Sequence, residues 1–359
     1  MGPAIYDLAR LGAMPEVLNS FRPYESRGMM LARVASAIRE EYRLYAAAGE
    51  FRAEPAGALL YGAASSAGVP AVGDWVAARA IGTSEAIVHD ILPRRTKFSR
   101  RAAGSRAEEQ VIAANVDIAM IVCGLDHDFN LRRLERYLTL AIESGAQPLI
   151  ALNKADLVDD AGPVAAQVRR LAGDAPVLSI SARTGAGLEA LDEFMAPGTT
   201  IVLLGSSGAG KSTIINRLIG EERQETRAVR EHDSRGRHTT TRRELIPLAS
   251  GAVVIDAPGM RELQLWASEE SLNESFEDVT VIAGSCRFRN CSHAGEQGCA
   301  IHTALDSGAL DPDRWNSYLK LRAELRRLEL LTNRTAATAE KQKWKRLTKA
   351  LRSHPKYRR

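Results

Sequence analysis

The apolar positions change rhythm three times along the chain, and each change predicts a different kind of domain. Between Met30 and Leu92 they come in short, partly alternating runs: Leu31 to Ile38, Glu41 to Ala47, Glu50 to Ala53, Asp74 to Ala80 and Ala86 to Leu92. Turn formers such as Gly49, Pro55 to Gly57 and Gly68 to Gly73 separate them. Five strands of this size predict a small β-barrel of the OB type, an architecture that often binds oligonucleotides. From Val116 onward, apolar runs alternate with amphipathic segments: Val116 to Val122 then Leu131 to Ser144, Pro148 to Leu152 then Val164 to Ala172, Val177 to Ile180 then Leu188 to Met195, Thr200 to Leu204 then Lys211 to Ile219. This alternation predicts a mostly parallel sheet with helices on both faces, completed by strands near Glu244 to Leu248 and Ala252 to Ile255. Beyond about residue 265 the pattern is helical. Asp313 to Leu331 reads as an amphipathic helix through Trp315, Tyr318, Leu319, Leu325, Leu328 and Leu331.

The expected organisation is multidomain: an N-terminal extension of weak signal (1–29), an OB-fold barrel (30–95), a central α/β domain (96–265) and a helical C-terminal domain with a basic tail (266–359). A chain of 359 residues exceeds what one core usually organises. No stretch approaches the roughly 20 apolar residues of a membrane span. The first twenty residues carry Asp7, Arg10 and Glu16 where a signal peptide needs an apolar run, so a cytoplasmic location is expected. Charge adds to this picture because it is uneven. Residues 320–359 hold fourteen Lys or Arg against Glu324, Glu329 and Glu340, a local charge of +11 within a net of +4. Together with the basic linker from Arg94 to Arg106, this points to an acidic partner such as RNA.

Gly205-Ser206-Ser207-Gly208-Ala209-Gly210-Lys211-Ser212 fits G-x-x-x-x-G-K-[ST] between a predicted strand and a predicted helix that continues with Thr213. Its glycines let backbone N–H groups face phosphates at the positive end of the helix. Lys211 is expected to bridge the β- and γ-phosphates, and the Ser212 hydroxyl to ligate Mg²⁺. Asn153-Lys154-Ala155-Asp156 ends another predicted strand. The Asp156 carboxylate can accept from both N1–H and the 2-amino group of guanine, a donor pair that adenine lacks, which selects GTP over ATP. Ser181 and Ala182 belong to an S-A-R element about 25 residues later, whose backbone N–H reads guanine O6.

Asp256-Ala257-Pro258-Gly259 resembles the D-x-x-G element, with Asp256 reaching Mg²⁺ through water and the Gly259 N–H at the γ-phosphate. The loop Gly236-Arg237-His238-Thr239-Thr240-Thr241 supplies a threonine to close on Mg²⁺. Thr240 is favoured, with Thr239 next. Met260 follows D-x-x-G, where Ras-like enzymes carry the Gln that orients the attacking water. Met cannot do this, so His238 is the candidate catalytic residue beside Lys211 and Thr240. The motif order is guanine element, S-A element, P-loop, Thr loop, D-x-x-G, which makes the domain circularly permuted. Such cutting and rejoining is compatible with every contact when termini lie close together.

Three of the four cysteines, Cys286, Cys291 and Cys299, fall within fourteen residues together with His293. A Cys₃His set suits tetrahedral Zn²⁺ with no open position, hence a structural site. His302 ranks second to His293 as the nitrogen ligand. Cys123 sits in an apolar run and reads as core.

With the permuted order, the G-R-H-T-T-T loop, the run Asp256 to Leu263 and the Cys/Cys/His/Cys spacing all read, residues from about 30 to 330 resemble the ribosome small-subunit-dependent GTPases, the RsgA (YjeQ) family. The resemblance implies an OB domain, a permuted G domain, a zinc-binding C-terminal domain and a role in late maturation of the 30S subunit. It also implies GTPase activity stimulated by that subunit, with 16S rRNA as a contact. A monomer is expected. The alternative reading is a GTP-regulated protein acting on a non-ribosomal RNA.

Overall fold

The computed structural model describes residues 6–38, 40–62, 66–101, 108–220, 243–256 and 267–333, with a few positions beyond. These residues form two compact units, one from 6–100 and 110–256, the other from 101, 108, 109 and 267 onward.

The first unit opens with a helix the sequence did not signal, α1 (Pro15–Glu25), started by proline in its first turn. The barrel follows as predicted, from β1 (Met30–Ile38), β2 (Glu41–Ala46), β3 (Gly49–Pro55), β4 (Trp75–Ala80) and β5 (Glu85–Ile91), with a short helix α2 (Gly57–Gly62) after β3. The strand order β1-β2-β3-β5-β4 closes because β4 also pairs with β1. Val34, Leu44, Phe51, Val76 and Val88 fill its interior. In the basic linker, where no strand was expected, β6 (Lys97–Arg101) pairs with β7 (Glu109–Ala114) as a two-stranded ribbon.

The α/β part comprises β8 (Ile118–Gly124), α3 (Leu131–Ser144), β9 (Gln147–Asn153), α4 (Gly162–Ala172), β10 (Val177–Ser179), β11 (Thr200–Leu204), α5 (Lys211–Ile219), β12 (Arg243–Pro247) and β13 (Val253–Asp256). The segment Leu188–Phe194, expected as a regular helix, is a 3₁₀ helix. Strand order is β10-β9-β8-β11-β13-β12, parallel except for β12. Side chains alternate across each strand. Ile118, Met120, Val122, Ile201 and Leu203 pack with Ile214 and Ile215 of α5. Leu134, Tyr137 and Leu138 of α3 are buried outside that cluster, against β8 and β9, so helices cover both faces. Asn130 caps α3 by accepting from Arg133 N, and Gly145 ends it in the left-handed conformation.

Barrel and sheet are continuous, since β1 pairs antiparallel with β12 at Ser36–Glu244 and Ala37–Arg243. Arg43 of β2 forms an ion pair with Glu244 across this junction. Arg33, 1% exposed, pins the same region from inside: its guanidinium donates to the carbonyl oxygens of Gly73 (3.2 Å), Asn115 (3.1 Å) and Leu11, and lies over the Trp75 ring. Burial lowers its pKa to about 10.

The second unit is helical: α6 (Glu269–Ser275), α7 (Glu277–Gly284), α8 (Ala300–Asp306) and α9 (Pro312–Thr332). On α9 the buried stripe is Arg314, Trp315, Ser317, Tyr318, Leu321 and Leu325, while Leu331, expected inside, is 52% exposed. Arg314 is buried because its charge is met by Asp278 (2.8 Å), with its guanidinium 3.9 Å from the Phe276 ring centre. Among the described residues no helix is long and apolar enough to cross a membrane.

Candidate functional site

Because β8, β9, β10, β11 and β13 run parallel, the loops that follow them gather along one edge of the sheet, where open α/β sheets bind ligands. Asn153 ends β9, and the Gly205 to Ser212 loop follows β11, with β8 between them. The Asn153 side chain, 2% exposed, closes the gap. Its Nδ2 donates to the Ala209 carbonyl (2.8 Å), and its Oδ1 accepts from the Ala182 N–H (2.9 Å). One amide thus fastens three motifs that lie far apart in sequence.

The close fit explains two glycines. A Cβ on Gly210 (φ +98°) would lie 2.1 Å from Asn153 Nδ2, and one on Gly205 (φ +147°) would lie 2.3 Å from the Val122 carbonyl oxygen. Gly208 also has positive φ and is exposed together with Ser207. Lys211 folds its ammonium back over the loop onto the carbonyls of Gly205 (2.8 Å) and Ser206 (2.6 Å). Ser212 and Thr213 sit half-buried in the first turn of α5.

Lys154 adopts a left-handed conformation (φ +65°) and pairs with Asp126. Asp156 uses both carboxylate oxygens: Oδ1 accepts from the Ser181 hydroxyl (2.5 Å), and Oδ2 meets the exposed Arg183 guanidinium (2.7 Å). The Ser181 hydrogen bond and the Arg183 charge hold its pKa below the usual carboxylate value. With the Ala182 N–H taken by Asn153, the next N–H of the loop, that of Arg183, makes no hydrogen bond to another described residue. Asp256 stands half-buried at the C-terminal end of β13. His238, Thr239, Thr240 and Gly259 lie outside the described residues.

Sequence reading missed a second tier. Asp128 accepts from the Ser206 hydroxyl (2.7 Å) and pairs with Arg133 (2.9 Å). Partial burial opposes its ionisation, but these hydrogen bonds outweigh it and lower the pKa. Asp126 and Asp128 follow β8, so their position beyond the carboxyl end of a parallel strand was the available signal.

In the second unit Cys286, Cys291, His293 and Cys299 offer four ligand atoms within 4.8 Å of one another, a group able to hold a metal ion. Tetrahedral coordination with Zn–S near 2.3 Å needs such spacing, so the donor set fits. Cys286 Sγ accepts from the Ala300 N–H (3.3 Å); burial works against its thiolate, but backbone donors lower the pKa. Burial also lowers the pKa of His293, which keeps the ring in its ligating neutral form. His302 instead places Nε2 3.2 Å from the His293 carbonyl oxygen. Cys123 is separate, and burial raises its thiol pKa to about 12.

Residues 91–266 match the family model described as RsgA GTPase. A protein of Opitutus terrae, named small ribosomal subunit biogenesis GTPase RsgA, is 48% identical over 96% of this chain and 97% of its own length. The chain belongs to the RsgA GTPase family. A relative of the same name from Syntrophotalea carbinolica is 44% identical over 94% of this chain and 95% of its own length. The solved structure of YjeQ from Thermotoga maritima superposes with a TM-score of 0.61 at 23% identity, covering 83% of this chain and 98% of that one. YloQ, described as a circularly permuted GTPase, gives 0.59 at 24% identity, covering 83% and 95%. The fold class is therefore a barrel joined to a permuted G domain, followed by a helical Cys/His unit, and membership makes the chain a GTP hydrolase.

Proposed function

We propose that the chain binds GTP between Asp156 and the Gly205 to Ser212 loop, hydrolyses it, and uses that cycle in late maturation of the small ribosomal subunit. The observation that carries this reading is the Asn153 side chain, which ties the guanine element to the phosphate loop despite their reversed order. Asn153, Lys154, Asp156, Ser181 and Ala182 form the base subsite, and Gly205 to Thr213 cradle the phosphates. Ser212, Asp256 and Thr240 hold Mg²⁺, with Thr239 as the alternative to Thr240. Gly259 touches the γ-phosphate. Lys211 and Thr240 stabilise developing charge, and His238 positions the attacking water. Cys286, Cys291, His293 and Cys299 hold one structural Zn²⁺, which ties down a loop too small for its own core.

Both relatives carry small-subunit biogenesis in their names. The barrel, the basic linker and the +11 tail supply surfaces suited to 16S rRNA, so binding should weaken steeply with salt. The four-part division at residues 30, 96 and 266, a cytoplasmic location and a monomeric state complete the proposal. The test is turnover of GTP and ATP with 30S subunits, 50S subunits, free rRNA or none. Selective stimulation of GTP hydrolysis by 30S is expected, and an equal response to 50S or free rRNA refutes the ribosomal role. For the base subsite, Asp156→Asn must reduce the preference for GTP over ITP.

A further inference from the structure

Arg217 lies in the last turn of α5, where a basic side chain ordinarily neutralises the carbonyls of its own helix. Here it reaches across to the loop after β10. Its Nε donates to the Ala182 carbonyl oxygen (3.0 Å), and an Nη donates to that of Arg183 (2.6 Å). The loop is therefore gripped from two sides, with Asn153 holding the Ala182 N–H and Arg217 holding the next two carbonyls.

A peptide group is planar and trans, so its C=O and N–H point in opposite directions. The Ala182 carbonyl shares its peptide with the Arg183 N–H, a loop donor that makes no hydrogen bond to another described residue. Fixing one end fixes the aim of the other. Because the anchor is a fork of charge-assisted donors rather than a single neutral bond, it holds the peptide plane firmly. Because it sits on the helix that opens at the phosphate loop, it ties the loop after β10 to that helix.

We propose that Arg217 is a positioning residue for guanine recognition, aiming the Arg183 N–H at the 6-oxo group of the base. This rests on the assignment of the base subsite to Asp156 and the loop that carries Ser181 and Ala182. It separates two readers of guanine. Asp156 reads the N1–H and 2-amino edge, and the peptide held by Arg217 reads O6.

The experiment measures equilibrium binding of GDP, IDP and 6-thio-GDP to the full chain and to the Arg217→Ala, Arg217→Lys and Asp156→Asn variants. IDP lacks the 2-amino group, and 6-thio-GDP keeps both donors but replaces O6 with a poor acceptor. In Arg217→Ala, GDP affinity should fall about five- to tenfold, the scale of one lost hydrogen bond. Affinity for 6-thio-GDP should barely change, so the preference for GDP over 6-thio-GDP collapses while the preference for GDP over IDP persists. Arg217→Lys, which keeps the charge but not the fork, should fall between, which guards against a variant that merely folds poorly. Equal losses for all three nucleotides, or no loss, overturn the proposal. An unchanged preference for GDP over IDP in Asp156→Asn instead overturns the subsite assignment beneath it.

Discussion

Asn153 and Ala209 are 56 residues apart, yet an Nδ2–H···O bond of 2.8 Å joins the end of β9 to the phosphate loop. The same amide accepts from Ala182 N at 2.9 Å, so the loop after β10 and the Gly205 to Ser212 loop are held to one buried side chain. Asn153→Ala would leave the Ala209 carbonyl and the Ala182 N–H without this partner. Each buried group left unpaired costs about 1–3 kcal/mol, part of which water recovers. GDP affinity should drop roughly 10- to 100-fold by titration with a fluorescent analogue. A loss below about twofold would mean that the loops hold their positions without it.

Much of this arrangement was legible in the chain. Strand–loop–helix rhythm located Thr200–Leu204 and Lys211–Ile219, and the glycines between them announced a backbone that must approach its neighbours closely. What the sequence hid depended on tertiary partners. Arg314 is not singled out by the pattern of the helix Asp313 to Leu331, and it is buried because Asp278 and Phe276 meet it. Lys97–Arg101 looked like linker because its pairing partner, β7, was itself not recognised. Arg217 and Asp128 carry no motif, and their importance appears only once the loops they touch are placed.

The depressed pKa of Asp156 fixes how guanine selection should respond to acid. A carboxylate whose folded pKa lies below its unfolded value keeps its contribution as pH falls through the ordinary range, and loses it only on crossing the lower value. Guanine needs the ionised form, which accepts both base donors. The affinity ratio of GDP to IDP should therefore stay level from about pH 7 to about pH 5, above the ordinary Asp value near 3.9. A decline across that interval would place the Asp156 pKa on the wrong side of the ordinary value.

Arg33 makes a different prediction, about stability. The carbonyls of Leu11 and Asn115 accept only from its guanidinium among the described residues, while the Gly73 carbonyl keeps a second donor in Asn115 Nδ2. Arg33→Met removes the buried cation but orphans two buried acceptors. Unfolding of the first unit should become easier by about 2–4 kcal/mol. Denaturant unfolding followed by circular dichroism measures this, and a midpoint equal to wild type would show that the carbonyls find other donors.

The thiols should report the metal site. Cys123 is half-buried in β8 with a pKa of about 12, so its thiolate fraction at neutral pH is negligible. Cys286, Cys291 and Cys299 surround one point with His293, and metal held there would shield their sulfurs. Purified protein should release one zinc per chain when treated with a strong chelator, and three thiols should then react with Ellman's reagent. The fourth, Cys123, should react far more slowly until denaturant is added. Release of less than stoichiometric zinc would remove the metal from the account, and a fourth thiol reacting as fast as the other three would contradict the raised pKa of Cys123. Because binding at such a site is also folding free energy for the segment that carries it, chelation should lower the thermal midpoint of the second unit and spare the nucleotide-binding first unit.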